Sequence, residues 1–261
     1  MSLADLDQRM RVYEQSLDHA IVPGMFMAAR LDGRGFTRLT KETHPFDTPF
    51  DRRFLDHMTT TVSYLMECGF RIIYAHTQSD EISLLFHPDE DTFGRKVSKY
   101  ESILAGEASA AFSVALGSPA AFDARMVPLP NLGLVQDYFL WRQADAHRNC
   151  LNAHCYWLLR HEGRSPAQAT AQLAAQPVSY KNELLFSRGI NFDTLPAWQK
   201  RGVGAYWEQY EKQGFNPKTA QTETAQRRRL VLDEDLPLGL AYAQMTAALA
   251  VHTPLNPATT A

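Results

Sequence analysis

The chain has 261 residues, 45% hydrophobic and 21% charged, which supplies a sizeable core and excludes a disordered polymer. Its net charge of −3 excludes nucleic-acid binding driven by bulk charge, so an RNA or DNA partner would have to meet local basic patches. Three cysteines, Cys68, Cys150 and Cys155, without CxxC spacing, argue against a disulfide framework or a zinc site. The polar N-terminus and the lack of any apolar run near the roughly 18 residues of a membrane span give the expectation of a cytoplasmic protein.

In chain order, residues 2–19 carry Leu6, Met10, Tyr13 and Leu17 at helical spacing. Pro23-Gly24 breaks that helix and introduces an apolar strand, residues 25–31, that ends at Asp32. Gly33 and Gly35 then permit a tight turn, with a loop over 41–49. A helix over 51–68 follows, striped by Phe54, Met58, Val62 and Leu65. Residues 72–75 and 81–86 read as strands joined at 76–80, which puts Asp80 at a hairpin tip. A second helix over 93–116 carries Arg95, Lys96 and Lys99 in its first turns. Basic charge there opposes the helix dipole and favours an anionic partner, although a solvated basic face is the simpler reading. With a strand over 122–127, the first half predicts an α+β fold: a split βαβ, antiparallel sheet with helices on one face.

The second half changes character. Asp137 is positioned to cap a helix over 138–160, and Ser165-Pro166-Ala167-Gln168 is a capping box opening a short helix. Residues 181–186 suggest another helical piece, and 195–204 a loop. Strands are expected at 203–210 and 230–232, with 221–229 a polar connection and the tail after His252 frayed. The expected organisation is a sheet-bearing region over 1–135 and a helical and small-sheet extension over 136–261, packed as one compact unit.

The chemistry concentrates in two places 48 positions apart, Asp32-Gly33-Arg34-Gly35-Phe36 and Ser79-Asp80-Glu81. Two carboxylates on adjacent strands beside a glycine turn fit a magnesium–triphosphate site. Magnesium takes hard oxygen ligands, and glycines let backbone N–H groups approach phosphate. A lone Asp-Gly pair is most often a surface turn. A strand, glycine turn, helix and acidic hairpin in this order are less easily produced by chance.

These motifs, with Gln78 before Ser79, Trp141-Arg142-Gln143-Ala144-Asp145-Ala146-His147 and Lys181-Asn182-Glu183-Leu184-Leu185-Phe186, resemble the histidine-tRNA guanylyltransferase superfamily and its tRNA-repairing relatives. The resemblance covers residues 21–207. It implies a polymerase-palm-like fold and a homotetramer that extends tRNA at its 5′ end, in the 3′–5′ direction. By that resemblance Asp32, Asp80 and the Gly33 carbonyl hold metal, two magnesium ions in all, and Glu81 supports catalysis. Nucleotide contacts fall to Asp32, Gly33, Arg34, Gly35, Phe36, Thr37, Asp51, Ser79, Asp80, Lys96 and Lys99. His147 and Lys181 match positions near the RNA 5′ end, and ATP and GTP are substrates.

The departures are specific. Thr37 and Thr48 stand where the family's guanylyltransferases usually carry histidine and lysine. Their His-Ile-Asn-Asn segment, associated with selecting histidine tRNA, is here His147-Arg148-Asn149-Cys150. That favours template-dependent repair of 5′-truncated tRNA over a dedicated guanylyltransferase. The hairpin also resembles that of diguanylate cyclases, so nucleotide cyclisation is one alternative, and a non-catalytic RNA-binding module is another. Simpler readings stand beside each supporting residue. His147 is equally a structural histidine, Lys181 and Glu183 an exposed pair, and Arg227-Arg228-Arg229 a solvated edge. Trp141, Trp157, Trp198 and Trp207 read as core or interface rather than stacking platforms.

Overall fold

A computed structural model describes residues 2–216 and 221–252. Helix α1 (Leu3–Glu14) opens the chain, capped by a reciprocal Ser2–Asp5 box. It stops five residues short of the expected end, and none of its residues is buried. Its apolar spacing therefore does not face the core. Strand β1 (Phe26–Arg34) runs through Asp32 and Gly33 rather than stopping there. The turn comes at Gly35, whose φ of 72° is the left-handed conformation that glycine adopts without cost. Helical turns α2 (Phe36–Arg38) and a π-helical Leu39–Thr43 follow, where the sequence suggested a loop.

Helix α3 (Arg52–Leu65) begins at an Asp51 N-cap, and strands β2 (Ile72–Gln78) and β3 (Glu81–Phe86) form the expected hairpin. Helix α4 (Val97–Leu116) is preceded by a 3-10 turn, Thr92–Arg95. Arg95 is not on a solvated basic face. Its side chain is buried and donates to the Met25 carbonyl at 2.5 Å. Strand β4 (Ala121–Leu129) completes the split βαβ unit.

The sheet is six-stranded and antiparallel at every pairing, in the order β4-β1-β3-β2-β5-β6. Side chains alternate across β1. Ala29 and Leu31 enter a core with Met58, Val62 and Leu65 of α3 and Tyr100, Leu104, Ala108 and Phe112 of α4. The α4 residues recur every fourth position, which builds one buried stripe.

The opposite face is also covered, contrary to a sheet with helices on one side only. Helix α5 (Leu132–His161) lays Val135, Tyr138 and Phe139 over Ala28, Ile73 and Leu85. It starts six residues before the expected first residue, because the Asn131 side chain rather than Asp137 is the cap and accepts the free N–H of Leu134. Its distal half packs with α6 (Pro166–Leu173) and α7 (Val178–Phe186) around Cys150, Cys155, Leu159 and Phe192. Residues 197–201, expected in a loop, form the short helix α8 (Ala197–Arg201).

Strands β5 (Val203–Asn216) and β6 (Gln221–Asp233) pair through the segment read as a polar connection. That segment is polar because it projects into solvent, and cross-strand pairing rather than burial makes it a strand. Helix α9 (Gly239–His252), absent from the sequence reading, returns against α5 and β2, where Tyr74 and Tyr242 share a buried 2.8 Å hydrogen bond. The tail expected to fray after His252 lies outside the described residues.

Candidate active site

Asp32 stands on β1 with its Cα partners at Glu81 in β3 and Asp123 in β4, so three carboxylates cross the sheet in one row. The hairpin tip closes on that row, with Gly33 N donating to the Asp80 carbonyl at 3.0 Å. Ser79 makes the tip with φ 55°, and its hydroxyl donates to Asp80 Oδ1 at 3.0 Å. Burial pushes the Asp80 carboxyl up, and the charges of Asp32 and Glu81 push it the same way. Gly33 has a steric reason to be glycine: a Cβ there would lie 2.5 Å from the Phe36 ring.

Glu81 is engaged differently from the two aspartates. Arg30 donates to its Oε1, and Arg142 of α5 donates to Oε2 at 3.0 Å. Arg142 is buried, lies 3.7 Å from the Trp141 ring centre and also meets Asp145 at 3.6 Å. A carboxylate held at both oxygens by arginine ties the hairpin to α5 and is poorly placed to give those oxygens to a metal.

Beside Asp80 and Ser79 opens a pocket of ≈ 230 Å³. Phe36, Thr37, Lys41, Asp47, Thr48, Phe50, Asp51, Gln78, Trp157 and Trp198 are among its walls. Its aromatic sides suit a flat ring, and its carboxylate end suits a metal-bound phosphate. Asp51 reaches the wall but is already committed. It accepts from the N–H groups of Arg53 and Asp47, each at 2.7 Å, and from the Arg53 guanidinium at 2.5 Å. The Arg53 guanidinium holds its carboxyl down to about 2. Phe36 is chiefly a core residue, packed against Phe112 and Phe122 at 5.0 Å. Arg34 and Gly35 are exposed on the turn just before it.

Other expected contacts lie apart from this pocket. Lys96 caps the start of α4 and pairs with Asp18 at 2.7 Å, with Lys99 exposed one turn on. Arg95, beside them, reaches Met25 at the end of β1 remote from Asp32, about 23 Å away at strand spacing. His147 meets the Phe192 ring edge-on at 5.2 Å. Burial, with the charge of Lys200, holds its imidazole below the usual value. Lys181 sits on α7, where its carbonyl accepts from Cys155 Sγ at 3.4 Å.

Arg30, Lys41 and Asp123 have no role in the sequence reading, which takes the tryptophans as core or interface rather than stacking platforms. Trp157 and Trp198 line the pocket, and Trp141 is 56% exposed. Strand alternation around residues 122–127 was the signal available for Asp123. No signal placed Lys41 beside Trp157, because that contact joins distant parts of the chain.

A family model described as tRNAHis guanylyltransferase matches residues 7–130, and the corresponding C-terminal domain model matches 133–235. The chain belongs to the tRNA(His) guanylyltransferase family. It is 34% identical over 202 residues to the probable tRNA(His) guanylyltransferase of Mus musculus, spanning 73% of this chain and 67% of that protein. To the Schizosaccharomyces pombe tRNA(His) guanylyltransferase it is 31% identical over 229 residues, 81% and 84% of the two chains. Among solved structures, a bacterial tRNA(His) guanylyltransferase-like protein in complex with GTP superposes with TM-score 0.74 at 27% identity, covering 95% of this chain and 99% of its own. The Saccharomyces cerevisiae tRNA(His) guanylyltransferase gives 0.67 at 26% identity over 74% of this chain and 90% of its own. As a family member the protein is a nucleotidyltransferase acting on tRNA, built on the palm-like α+β fold. Among the described residues no helix is long and apolar enough to cross a membrane.

Proposed function

We propose that this protein adds nucleotides to the 5′ end of tRNA in the 3′–5′ direction, chiefly as template-dependent repair of 5′-truncated tRNA. The observation that carries the reading is the backbone contact between Gly33 and Asp80, which joins two carboxylate-bearing segments at the rim of an aromatic pocket. The preference for repair rests on the His147-Arg148-Asn149-Cys150 segment. Cys150 is fully buried in the distal core and Arg148 is paired with Asp145. Asn149 keeps the third-position amide and turns it to Asp145 at 3.4 Å, whereas Cys150 lacks the amide of the fourth position and Arg148 puts a charged side chain in place of isoleucine.

The donors at the site are hard oxygens, Asp32, Asp80 and the Gly33 carbonyl, a set that fits magnesium completed by water and substrate phosphate. Bound there, as one ion or two, magnesium would neutralise phosphate oxygens during displacement at phosphorus. ATP and GTP are the nucleotides in this reading, supported by guanylyltransferase-like structures determined with each. A tRNA 5′-monophosphate takes AMP from ATP and releases pyrophosphate, or the tRNA arrives as a triphosphate. The 3′-hydroxyl of the incoming nucleoside triphosphate then attacks the 5′ phosphorus. A new P–O bond forms, and AMP or pyrophosphate leaves.

In this scheme Asp32 and Asp80 are catalytic, and Glu81 acts by fixing the hairpin. The turn 33–37, Ser79 and Asp51 shape the nucleotide pocket, while Lys96 and Lys99 meet phosphate outside it. His147 and Lys181 face the RNA end. Residues 1–135 carry the chemistry, and residues 136–261 hold tRNA and build a homotetramer acting in the cytoplasm.

The test offers purified protein, magnesium, ATP and the four nucleoside triphosphates to two labelled tRNAs. One is a histidine tRNA lacking its extra 5′ guanosine, and the other is truncated at its 5′ end. Extension of the truncated tRNA that halts when the acceptor stem is fully paired is expected. Extension of the histidine tRNA alone would replace repair by dedicated guanylylation, and nucleotide consumption without extension would indicate cyclisation. Asp32→Ala and Asp80→Ala should each lower addition by at least about a hundredfold with the fold retained. Full activity in either would remove the metal site from the scheme.

A further inference from the structure

Among the described residues, one basic side chain lines the pocket beside Asp80, that of Lys41. We propose that Lys41 binds the phosphates of the nucleoside triphosphate that occupies this pocket. The proposal rests on the reading of the pocket as a nucleotide site and names the cation that such a site needs.

The argument begins with charge. Asp47 and Asp80 line the pocket together with Asp51. Of these three, among the described residues, Asp51 alone makes an ion pair, with the Arg53 guanidinium. A triphosphate entering beside the remaining carboxylates is repelled unless a cation faces it, and metal at Asp80 reaches only part of its length. The neighbouring arginines are occupied. Arg53 is held by Asp51, and Arg52 by Glu234 at 2.6 Å and Asp56 at 2.9 Å. Lys96 is paired with Asp18 at the other end of α4.

Lys41 is different in kind. Among the described residues it makes no ion pair and no side-chain hydrogen bond. Its Nζ lies 5.4 Å from the Trp157 ring centre and 5.7 Å from that of Tyr156. An aromatic face restrains an ammonium weakly and does not cancel its charge. Phosphate oxygens offer stronger, charge-assisted hydrogen bonds, so Lys41 is held near the pocket but remains available. The π-helical turn Leu39–Thr43 directs this residue, and it sits directly after the Gly35 turn that follows the Asp32 strand. The same short segment thus supplies a carboxylate for metal and a cation for phosphate.

The test uses the full chain. Lys41→Ala, at an exposed position, should leave the melting temperature unchanged and raise Kd for both ATP and GTP by about tenfold. In the extension assay KM for the nucleotide should rise by a similar factor with kcat little altered, the mark of lost binding rather than lost chemistry. The ratio of GTP to ATP affinity should not change. Lys41→Arg should retain most of the affinity. The double variant Lys41→Ala/Thr48→Lys, which moves the cation to another wall of the same pocket, should recover part of what the single variant loses. Unchanged Kd in Lys41→Ala overturns the proposal. A loss confined to GTP or to ATP also overturns it, because that assigns Lys41 to the base. Failure of the unaltered protein to bind either nucleotide would instead remove the nucleotide reading of the pocket, and the proposal with it.

Discussion

At the scale of single residues, the site depends on Gly33 lying flat against Phe36. Phe36 cannot yield to a methyl group, because Phe112 and Phe122 hold it from two sides at 5.0 Å. Gly33→Ala is therefore expected to cost about 1–3 kcal/mol and to disturb the adjoining Asp32. A thermal melt and an addition assay would check this, and an unchanged midpoint would show that the ring can move. Asp51 has a comparable role at the pocket wall, capping α3 from a nearly buried position. Asp51→Ala should destabilise the protein by about 1–2 kcal/mol, measured by urea denaturation. Its carboxyl sits at about 2 when folded, below the ordinary 3.8. The stabilisation is thus complete above pH 3.8 and disappears as pH falls through 2, because the unfolded chain takes up the proton first. The pH series separates this cap from a general packing loss, which would not follow the carboxyl. Asp32, Gly33 and Asp80 were legible from spacing alone, since an apolar run and a glycine turn mark a strand end. The partners of Glu81 were not, because Arg30 is 51 positions and Arg142 61 positions away in the chain.

At the scale of elements, the Arg30–Glu81–Arg142 bridge joins β1, β3 and α5, and so couples the hairpin bearing Asp80 to the helix carrying His147. Removing Arg142 leaves Glu81 with Arg30 alone and Asp145 with Arg148 alone, so both carboxylates lose part of their compensation. Arg142 is almost fully buried while Glu81 is 29% exposed, so Arg142→Ala should cost about 2–3 kcal/mol, toward the lower end for such pairs. Arg142→Lys should recover little, since one ammonium cannot serve Glu81 and Asp145 with the geometry of a guanidinium. Denaturation of the two variants beside wild type checks this, and full recovery by lysine would mean that charge alone matters there. Elements with clear periodicity, α3 and α4, were readable from sequence. Helix α9 was missed because its face is mostly alanine, with Tyr242 its main anchor into the sheet. The outer β5–β6 hairpin was misread because cross-strand pairing supports it: Arg229 meets Glu208 at 2.6 Å, and Arg228 lies 4.1 Å over Trp207.

At the scale of the molecule, a chain of net charge −3 must bind an anionic RNA through patches. Arg125 stands exposed opposite Arg30 on the sheet edge, Lys99 is exposed on α4, and Arg227 and Arg228 lie on the outer hairpin. Affinity for tRNA should fall steeply with added salt, log Kobs declining with log salt by roughly 0.7–0.9 per phosphate contacted. Filter binding over a salt series measures the slope, and a flat line would mean that phosphate contacts are not what holds the RNA. The sheet is covered on both faces, by α3 and α4 on one side and α5 and α9 on the other. This arrangement lets residues after 136 wall a pocket whose floor comes from the first hundred.

The sequence by itself determined the local chemistry: a strand bearing Asp32, a hairpin bearing Asp80, a glycine turn, and the order of helices and strands that builds a split βαβ sheet. These follow from hydrophobic period and turn residues, which act over a few positions. Only the tertiary structure decided that Glu81 is clasped by two arginines, that Trp157 and Trp198 close the pocket, that Lys41 faces it, and that Lys96 lies far from it. Each of those is a meeting of side chains from separate elements, set by how the helices pack on the sheet, and no local pattern encodes that packing.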